Sequence, residues 1–457
     1  METVLGFLQA CNNIVWGPPL LILLVGTHIY LTVKLRFPQR HIWTGVKLSV
    51  TPEKDAPGDV SQFGALSTAL AATIGTGNII GVGTAVALGG PGAVLWCWLT
   101  GVFGIATKYG EGLLAVKYRV QTSDGTMLGG PMYALERGLN AKWLAILFCI
   151  FGSIAAFGIG NLTQANAISG MLTKQFNISP YISGIVMVIL TAVVIIGGVR
   201  SIARVTTKLV PLMAIFYVLG CLAILILNFE YLGATISLIC KSAFSAKAAG
   251  GGFIGTTIMM AARYGIARGL FSNESGLGSA PIAAASATTK NPVRQALVSA
   301  TGTFWDTVII CLMTGLVLVS SIIRHPSGYE GLAGNALTYQ AFDQIPIIGA
   351  LVLVVGLATF AFSTILGWAY YGERCIEYLF GKVSLKPYRI IFSIVTFIGA
   401  TTVLDIAWEF SDLANAMMAI PNLLSLILLS GVIVSETRKY LWEDNLDLPS
   451  NEQIPKI

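Results

Sequence analysis

The sequence predicts an all-α integral membrane protein with about eleven transmembrane helices. Three observations predict it. Only 11% of the 457 residues are charged, against about 25% in soluble domains. Apolar blocks of about 20 residues recur along the chain, each long enough to cross roughly 30 Å of hydrocarbon. None shows the long apolar/polar alternation of a lipid-facing β-strand.

Taken in order, the spans fall near 13–34, 62–88, 92–117, 143–172, 180–198, 207–228, 253–286, 295–323, 346–372, 388–407 and 412–434. The opening Met-Glu-Thr-Val-Leu has no basic n-region and does not read as a signal peptide. Lys and Arg decide the orientation, because basic connections stay on the cytoplasmic side. With eleven spans, 21 of the 28 basic residues fall on one side, four on the other (Lys174, Lys241, Lys247, Arg324) and three inside spans (Lys108, Arg263, Arg268). The N-terminus is therefore expected outside a cell membrane and the C-terminus in the cytoplasm. The net charge of +6 is explained by these inner loops and gives no reason to expect nucleic acid. The segment Glu443–Ile457 is charged and contains proline, and it reads as a mobile cytoplasmic tail.

Two spans carry interruptions. The stretch AATIGTGNIIG at 71–81 places Gly75, Gly77 and Asn78 at mid-span, and GLFSNESGLGSAP at 269–281 places Ser272, Asn273 and Glu274 there. Gly-broken spans at matching positions point to an inverted repeat with a site near the bilayer midplane. Setting the first span aside leaves ten, and the interrupted ones open each half of five. The expected organisation is an extra helix and loop (1–61), a first half (62–228), a second half (229–435) and a tail (436–457).

The breaks need a physical reason. Backbone groups freed inside a bilayer must be satisfied by a cavity, by neighbours or by a bound species. Freed carbonyls suit a small cation, and a half-helix N-terminus suits a carboxylate. Glycine lets a ligand approach the backbone closely. Close helix packing by small residues explains a single glycine cluster equally well, but matched clusters with Asn and hydroxyls favour a site.

At these residues the chain resembles the alanine-or-glycine:cation symporter family. The resemblance rests on AATIGTGNIIGVGTA (71–85), GGPGAVLWCWLTGVFG (89–104), ATKYGEGLLAVKYR (106–119), GGPMYALERGL (129–139), AAFGIGN (155–161), GLFSNESGLGSAPIAAA (269–285) and STILGWAYYGER (363–374). It covers roughly residues 14–435. Where the family carries Phe and Met beside the paired tryptophans, this chain has Leu95 and Cys97, both apolar exchanges.

The resemblance implies a LeuT-type core of ten helices preceded by one extra helix, moving a small neutral amino acid with Na⁺ and using no organic cofactor. Carried over by position, it implies that Thr76, Gly77 and Asn78 line the amino-acid site from the first broken helix. Phe271, Ser272 and Asn273 would do so from the second, with Gln164 and Trp368 closing the sides. Sodium would meet the carbonyls of Ala71 and Ile74 and the hydroxyls of Ser363 and Thr364. Neutral hard oxygens suit such a cation. By themselves the two hydroxyls also fit simple back-bonding to their own helix, Gln164 fits an interhelical hydrogen bond, and Trp368 fits a core aromatic.

Charges within spans need partners. Lys108 and Glu111 are spaced to pair on one helix face. Arg263, Arg268, Glu274, Asp306 and Asp405 are expected to be paired structurally, with Glu274 the candidate for a gate or proton carrier. The seven cysteines are scattered without a CxxC and read as buried thiols, with neither disulfide nor metal spacing.

Other functions fit less well. Proton coupling through Lys208 is the rival within transport, and glutamine is the rival substrate. A channel calls for a symmetric filter or charged ring. An enzyme calls for a nucleophile–base pair or metal cluster, and the sequence contains no HExxH, GxSxG or P-loop motif.

Overall fold

The computed structural model describes residues 2–53, 56–244, 258–329, 331–332, 334–345, 348–402 and 405–457. Part of the expected seventh span (253–257) and the side chain of Asp405 lie outside the described residues.

The chain is a bundle of helices. In order they are α1 (Glu2–Val15), α2 (Pro18–Lys34), α3 (Ile42–Ser49), α4 (Gln62–Thr73), α5 (Val82–Gly89), α6 (Gly92–Lys117), α7 (Lys142–Phe157), α8 (Thr163–Phe176), α9 (Pro180–Ile195) and α10 (Gly198–Leu227). There follow α11 (Leu232–Phe244), α12 (Ile258–Asn273), α13 (Pro281–Ala284), α14 (Pro292–Thr303), α15 (Leu312–Arg324), α16 (Gly334–Phe342), α17 (Ile348–Phe380), α18 (Leu385–Thr401), α19 (Asp405–Leu428) and α20 (Ser430–Thr437). Among the described residues, seven helices are long and apolar enough to cross a membrane, and α4 joins α5 as an eighth, bent span. The short α9, the charged α6 and the broken α12–α13 stand where the remaining spans are expected and are consistent with them.

Boundaries shift where local chemistry overrides hydropathy. The first span begins earlier, as α1, and breaks at Gly17 before Pro18. Pro is tolerated in a first turn, so α2 restarts there. The expected 346–372 continues to Phe380, because Glu373, Arg374 and Glu377 are paired with one another and stay buried. Several long helices pass through wider π-helical turns: Gly77–Gly81 before α5, Gly158–Leu162 between α7 and α8, and Phe304–Cys311 between α14 and α15. Such turns are frequent at functional positions, and these three stand beside Asn78, Gln164 and Asp306, while two others, Ala134–Gly138 and Arg438–Trp442, lie away from them.

Outward faces of the bundle are apolar, as contact with lipid requires. On α9 and α10, Ile182, Ile185, Ile189, Val193, Leu212, Ile215 and Leu219 are all exposed. Five of the seven thiols are buried, Cys11 is half-buried and Cys240 is exposed.

The C-terminal segment is not the mobile tail its composition suggests. The Asn291 side chain donates to the carbonyls of Leu446 and Leu448, both at 2.9 Å. Arg294 Nη1 lies 2.5 Å from the Asp447 carboxylate. Ser450 N–H donates to Lys290 O (2.8 Å), Gln121 N–H to Pro455 O (2.8 Å), and Ile457 N–H to Gln121 O (2.9 Å). Backbone pairing with a hairpin (β1 Val120–Gln121, β2 Met127–Leu128) holds the tail, and composition carries no trace of that.

Candidate functional site

In the first broken helix, α4 stops at Thr73 and Ile74 turns extended, with φ −76° and ψ 93°. The axis bends by 52° before the chain is helical again. Asn78 closes the gap: its Oδ1 accepts the Gly75 N–H at 2.9 Å, and its own N–H donates to Gly75 O at 3.2 Å. Gly75 is required sterically, since a Cβ there would lie 2.5 Å from Thr364 Oγ1 on α17.

The second break lies between α12 and α13. Glu274, Gly276 and Gly278 take left-handed φ angles of 53°, 92° and 85°, a region where glycine is unstrained. The freed amides of Gly276 and Gly278 find one acceptor. Glu111 Oε1, from α6, receives Gly276 N–H at 3.0 Å and Gly278 N–H at 3.1 Å. Asn422 Nδ2 joins it at 2.7 Å. A buried carboxylate thus satisfies the backbone that hydrocarbon cannot. Glu274 itself accepts the Ser279 hydroxyl at 2.5 Å.

The breaks are tied together by Asp306, fully buried in the π-helical turn after α14. Asn78 Nδ2 donates to its Oδ1 at 2.7 Å and Ser272 Oγ to its Oδ2 at 3.0 Å. Thr307 adds a third bond at 2.6 Å.

Between the breaks lies a cavity of about 20 Å³ walled by Thr76, Gly77, Gln164, Phe271, Glu274, Thr364, Trp368 and Asn415, among others. Gln164 Oε1 reaches the Thr76 N–H at 3.5 Å, and its Nε2 donates to Ile159 O at 3.0 Å. Trp368 rests directly on Gly160, where a Cβ would meet it at 2.4 Å. Above this chamber a vestibule of about 830 Å³ shares Thr76, Gly77 and Phe271 as its floor and has Lys174, Asn335 and Tyr339 in its wall.

Of the expected substrate residues, Thr76, Gly77, Gln164, Phe271 and Trp368 therefore meet in one cavity. Asn78 and Ser272 stand behind it, committed to Asp306. Asn273 faces a different, inner cavity.

For the expected sodium residues, Thr364 Oγ1 lies 3.4 Å from Ile74 O, across the gap between α17 and the first break. Thr364 and Ser363 also bond Phe360 O, both at 2.9 Å, which is the back-bonding alternative. Ser363 touches Met213 Sδ at 3.5 Å. Ala71 is fully buried on α4, three residues before Ile74. The oxygens gathered here, Ile74 O and the Ser363 and Thr364 hydroxyls, are neutral, a donor type that fits Na⁺.

On the side away from the vestibule, the segment leading into α4 is hydrogen-bonded to the segment leaving α13, which forms a latch. Asp59 N–H donates to Ser286 O at 2.8 Å and Thr288 N–H to Val60 O at 2.7 Å. Arg119, buried at the end of α6, donates to Ala285 O (3.2 Å), Ala287 O (2.8 Å) and Pro57 O (3.1 Å). One guanidinium thus clamps both strands of the latch.

A profile described as the Sodium:alanine symporter family matches residues 1–453. The chain belongs to the sodium:alanine symporter family. It is a multi-pass membrane transporter, not an enzyme. It is 50% identical to the sodium/alanine symporter AgcS of Methanococcus maripaludis over 436 residues, 94% of this chain and 95% of that one. It is 51% identical over 459 residues to an uncharacterized transporter of Haemophilus influenzae, covering 99% of this chain and 100% of the other. The crystal structure of MhsT in complex with L-phenylalanine superposes with a TM-score of 0.59 at 16% identity, over 85% of this chain and 95% of that one. That likeness establishes the LeuT-type fold, with two discontinuous helices in a five-plus-five repeat and one extra N-terminal helix.

Sequence reasoning missed Asn415. It is 1% exposed on α19, lines the central cavity, and neither of its amide atoms has a partner among the described residues. The available signal was an amide within an apolar span. Asp306 and Glu111 were read as charges in need of partners; their role as anchors of the two breaks comes from three-dimensional placement alone.

Proposed function

We propose that this symporter couples an inward Na⁺ gradient to uptake of a small neutral amino acid, alanine or glycine, by alternating access. The supporting observation is the meeting of both helix breaks at one small cavity, with a vestibule on one side and a hydrogen-bonded latch on the other. Main-chain groups of the substrate would bind the freed backbone of Thr76 and Gly77. Trp368 and Phe271 would limit its side chain, with Gln164 and Asn415 as polar partners. Na⁺ would bridge the first break to α17 through Ala71 O, Ile74 O, Ser363 Oγ and Thr364 Oγ1. The family name and the relative AgcS support alanine and sodium.

The aromatic walls Phe271 and Trp368 favour a short side chain over glutamine. Lys208 is exposed on α10, which favours ordinary snorkelling over a buried proton carrier. The halves 62–228 and 229–435 would rock against each other, with the N-terminus outside the cell membrane and the C-terminus inside.

A substrate panel in proteoliposomes tests the reading. Sodium-dependent uptake of labelled alanine should be displaced by excess unlabelled alanine and glycine, and far less by glutamine or leucine. Stronger displacement by glutamine than by alanine would overturn the substrate assignment.

A further inference from the structure

A second cavity of about 20 Å³ lies on the latch side of the central chamber, between α4, α6, α13 and α14. Three side chains in its wall each bear a buried polar atom without a hydrogen-bond partner among the described residues: Lys108 Nζ, Asn273 Nδ2 and Gln295 Oε1. Their residues are 3%, 1% and 1% exposed. A buried polar group left unpaired is destabilising by about 1–3 kcal/mol, so three converging on one space call for a cause.

Packing within the chain does not supply it. Lys108 Nζ lies 3.8 Å from Glu111 Oε2, beyond hydrogen-bond range. That oxygen also lacks a hydrogen-bond partner among the described residues but does not line the cavity, while Glu111 Oε1 is committed to Gly276, Gly278 and Asn422. Gln295 Nε2 donates to Ser299 Oγ at 3.3 Å, which orients the amide and leaves its carbonyl oxygen free. The unpaired set is therefore an ammonium and an amide N–H as donors, with one amide oxygen as acceptor. A lone cation would meet the repulsion of Lys108. A simple anion would leave the Gln295 oxygen unused. A single water suits the set while the cavity is closed. In a cavity widened by opening of the latch, an amino-acid zwitterion carries the complementary set: a carboxylate for Lys108 and Asn273, and an ammonium for Gln295.

Position agrees with chemistry. Thr73 belongs to the walls of both the central and the inner cavity. Ala280, Pro281 and Ala284 form another wall of the inner one, on the segment that runs into the latch at Ser286 and Thr288. Separating the latch widens this cavity toward the inner face.

We propose that this inner cavity is a second, transit subsite, which binds the carboxylate and ammonium of the substrate after it leaves the central site and before release. The inference rests on the symport reading and adds a site to it. The affinity of such a site is weak and independent of Na⁺, because the proposed sodium donors do not line it.

Ala69 lines the same cavity without a polar role, so Ala69→Cys places a thiol there while keeping every polar group. The full-length variant is reconstituted with its inner face accessible, without sodium, and the rate of labelling by a small thiosulfonate is measured above that of the parent chain. Alanine should slow labelling. At ten times its half-protecting concentration, occupancy alone predicts about a tenfold slowing. Alaninamide, lacking the carboxylate, and propionate, lacking the ammonium, should protect far less. Gln295→Leu or Lys108→Met in this background should abolish protection by alanine, and Gln295→Leu with the analogue series decides the matter if Lys108→Met does not fold. Intact sodium-driven uptake with no protection by alanine, or equal protection by alaninamide, overturns the subsite and leaves the symport reading standing. Absence of sodium-driven alanine uptake by the unmodified chain would instead remove the reading itself.

Discussion

Asn78 and Asp306 are joined by a 2.7 Å hydrogen bond, and this bond couples the two broken helices. The same Asn78 amide caps the first break through Gly75, while the same Asp306 carboxylate holds Ser272 at the end of α12. A change in one break is therefore felt by the other through a single carboxylate.

Asp306→Ala should damage transport of every substrate alike. It strips the carboxylate from Asn78 Nδ2 and Ser272 Oγ, leaving them the longer contacts to the residue-306 main-chain oxygen and Cys311 Sγ. A buried donor deprived of its good acceptor is destabilised by about 1–3 kcal/mol. A fall of roughly tenfold or more in uptake at saturating substrate follows, since about 1.4 kcal/mol is tenfold. Asp306→Asn retains one acceptor oxygen and should be milder. Uptake by Asp306→Ala matching the parent would remove the coupling role.

Side-chain selection should separate from main-chain binding. Trp368→Ala enlarges the cavity, weakening alanine uptake while admitting longer neutral side chains. Asn78 stands behind the cavity wall, so Asn78→Ala should impair a panel from glycine to leucine uniformly. Asn415→Leu fills the same space without the amide and should weaken alanine binding about tenfold if Asn415 meets the ligand. A flat substrate profile for Trp368→Ala, with a reordered one for Asn78→Ala, would reverse this division.

Much of the central site was legible because glycine and asparagine in an apolar span contradict both helix propensity and membrane solubility. Gly75, Gly77, Gly276 and Gly278 announce the breaks for that reason. Gln164 and Trp368 depended on family likeness, because a lone amide or indole in a span has many ordinary explanations. Asn415 escaped, since α19 is otherwise unremarkable in pattern. Asn273 was placed at the right break but facing the other cavity: sequence locates a break without saying which way each side chain turns. The docked tail was invisible for another reason. Its hold comes from backbone hydrogen bonds and from Asn291 and Arg294, more than 150 residues away, whereas composition reports only local tendencies.

The coupling ion should respond to the hydroxyl pair on α17. Thr364 faces Ile74 O across the gap, so Thr364→Ala should raise the sodium concentration for half-maximal uptake more than Ser363→Ala does. Combining the two should raise it further. Unchanged sodium dependence in the double variant would move the ion elsewhere.

The latch and the docked tail should stabilise the inward-closed state. Deleting residues 446–457 leaves the Asn291 amide and the Arg294 guanidinium without their carbonyl and carboxylate partners there. Arg119→Gln loses most of the clamp on Pro57, Ala285 and Ala287. Both changes should speed labelling of Ala69→Cys from the inner face and lower the thermal midpoint in detergent. Labelling rates and midpoints equal to the parent's would show that the inner closure rests on other contacts.

The central claim is tested most directly by uptake of labelled alanine into liposomes holding the purified full chain. The inside is sodium-free, the outside holds sodium, and a proton ionophore is present. The account predicts accumulation above equilibrium that vanishes when potassium replaces sodium and survives the ionophore. Accumulation indifferent to sodium but abolished by the ionophore would contradict it.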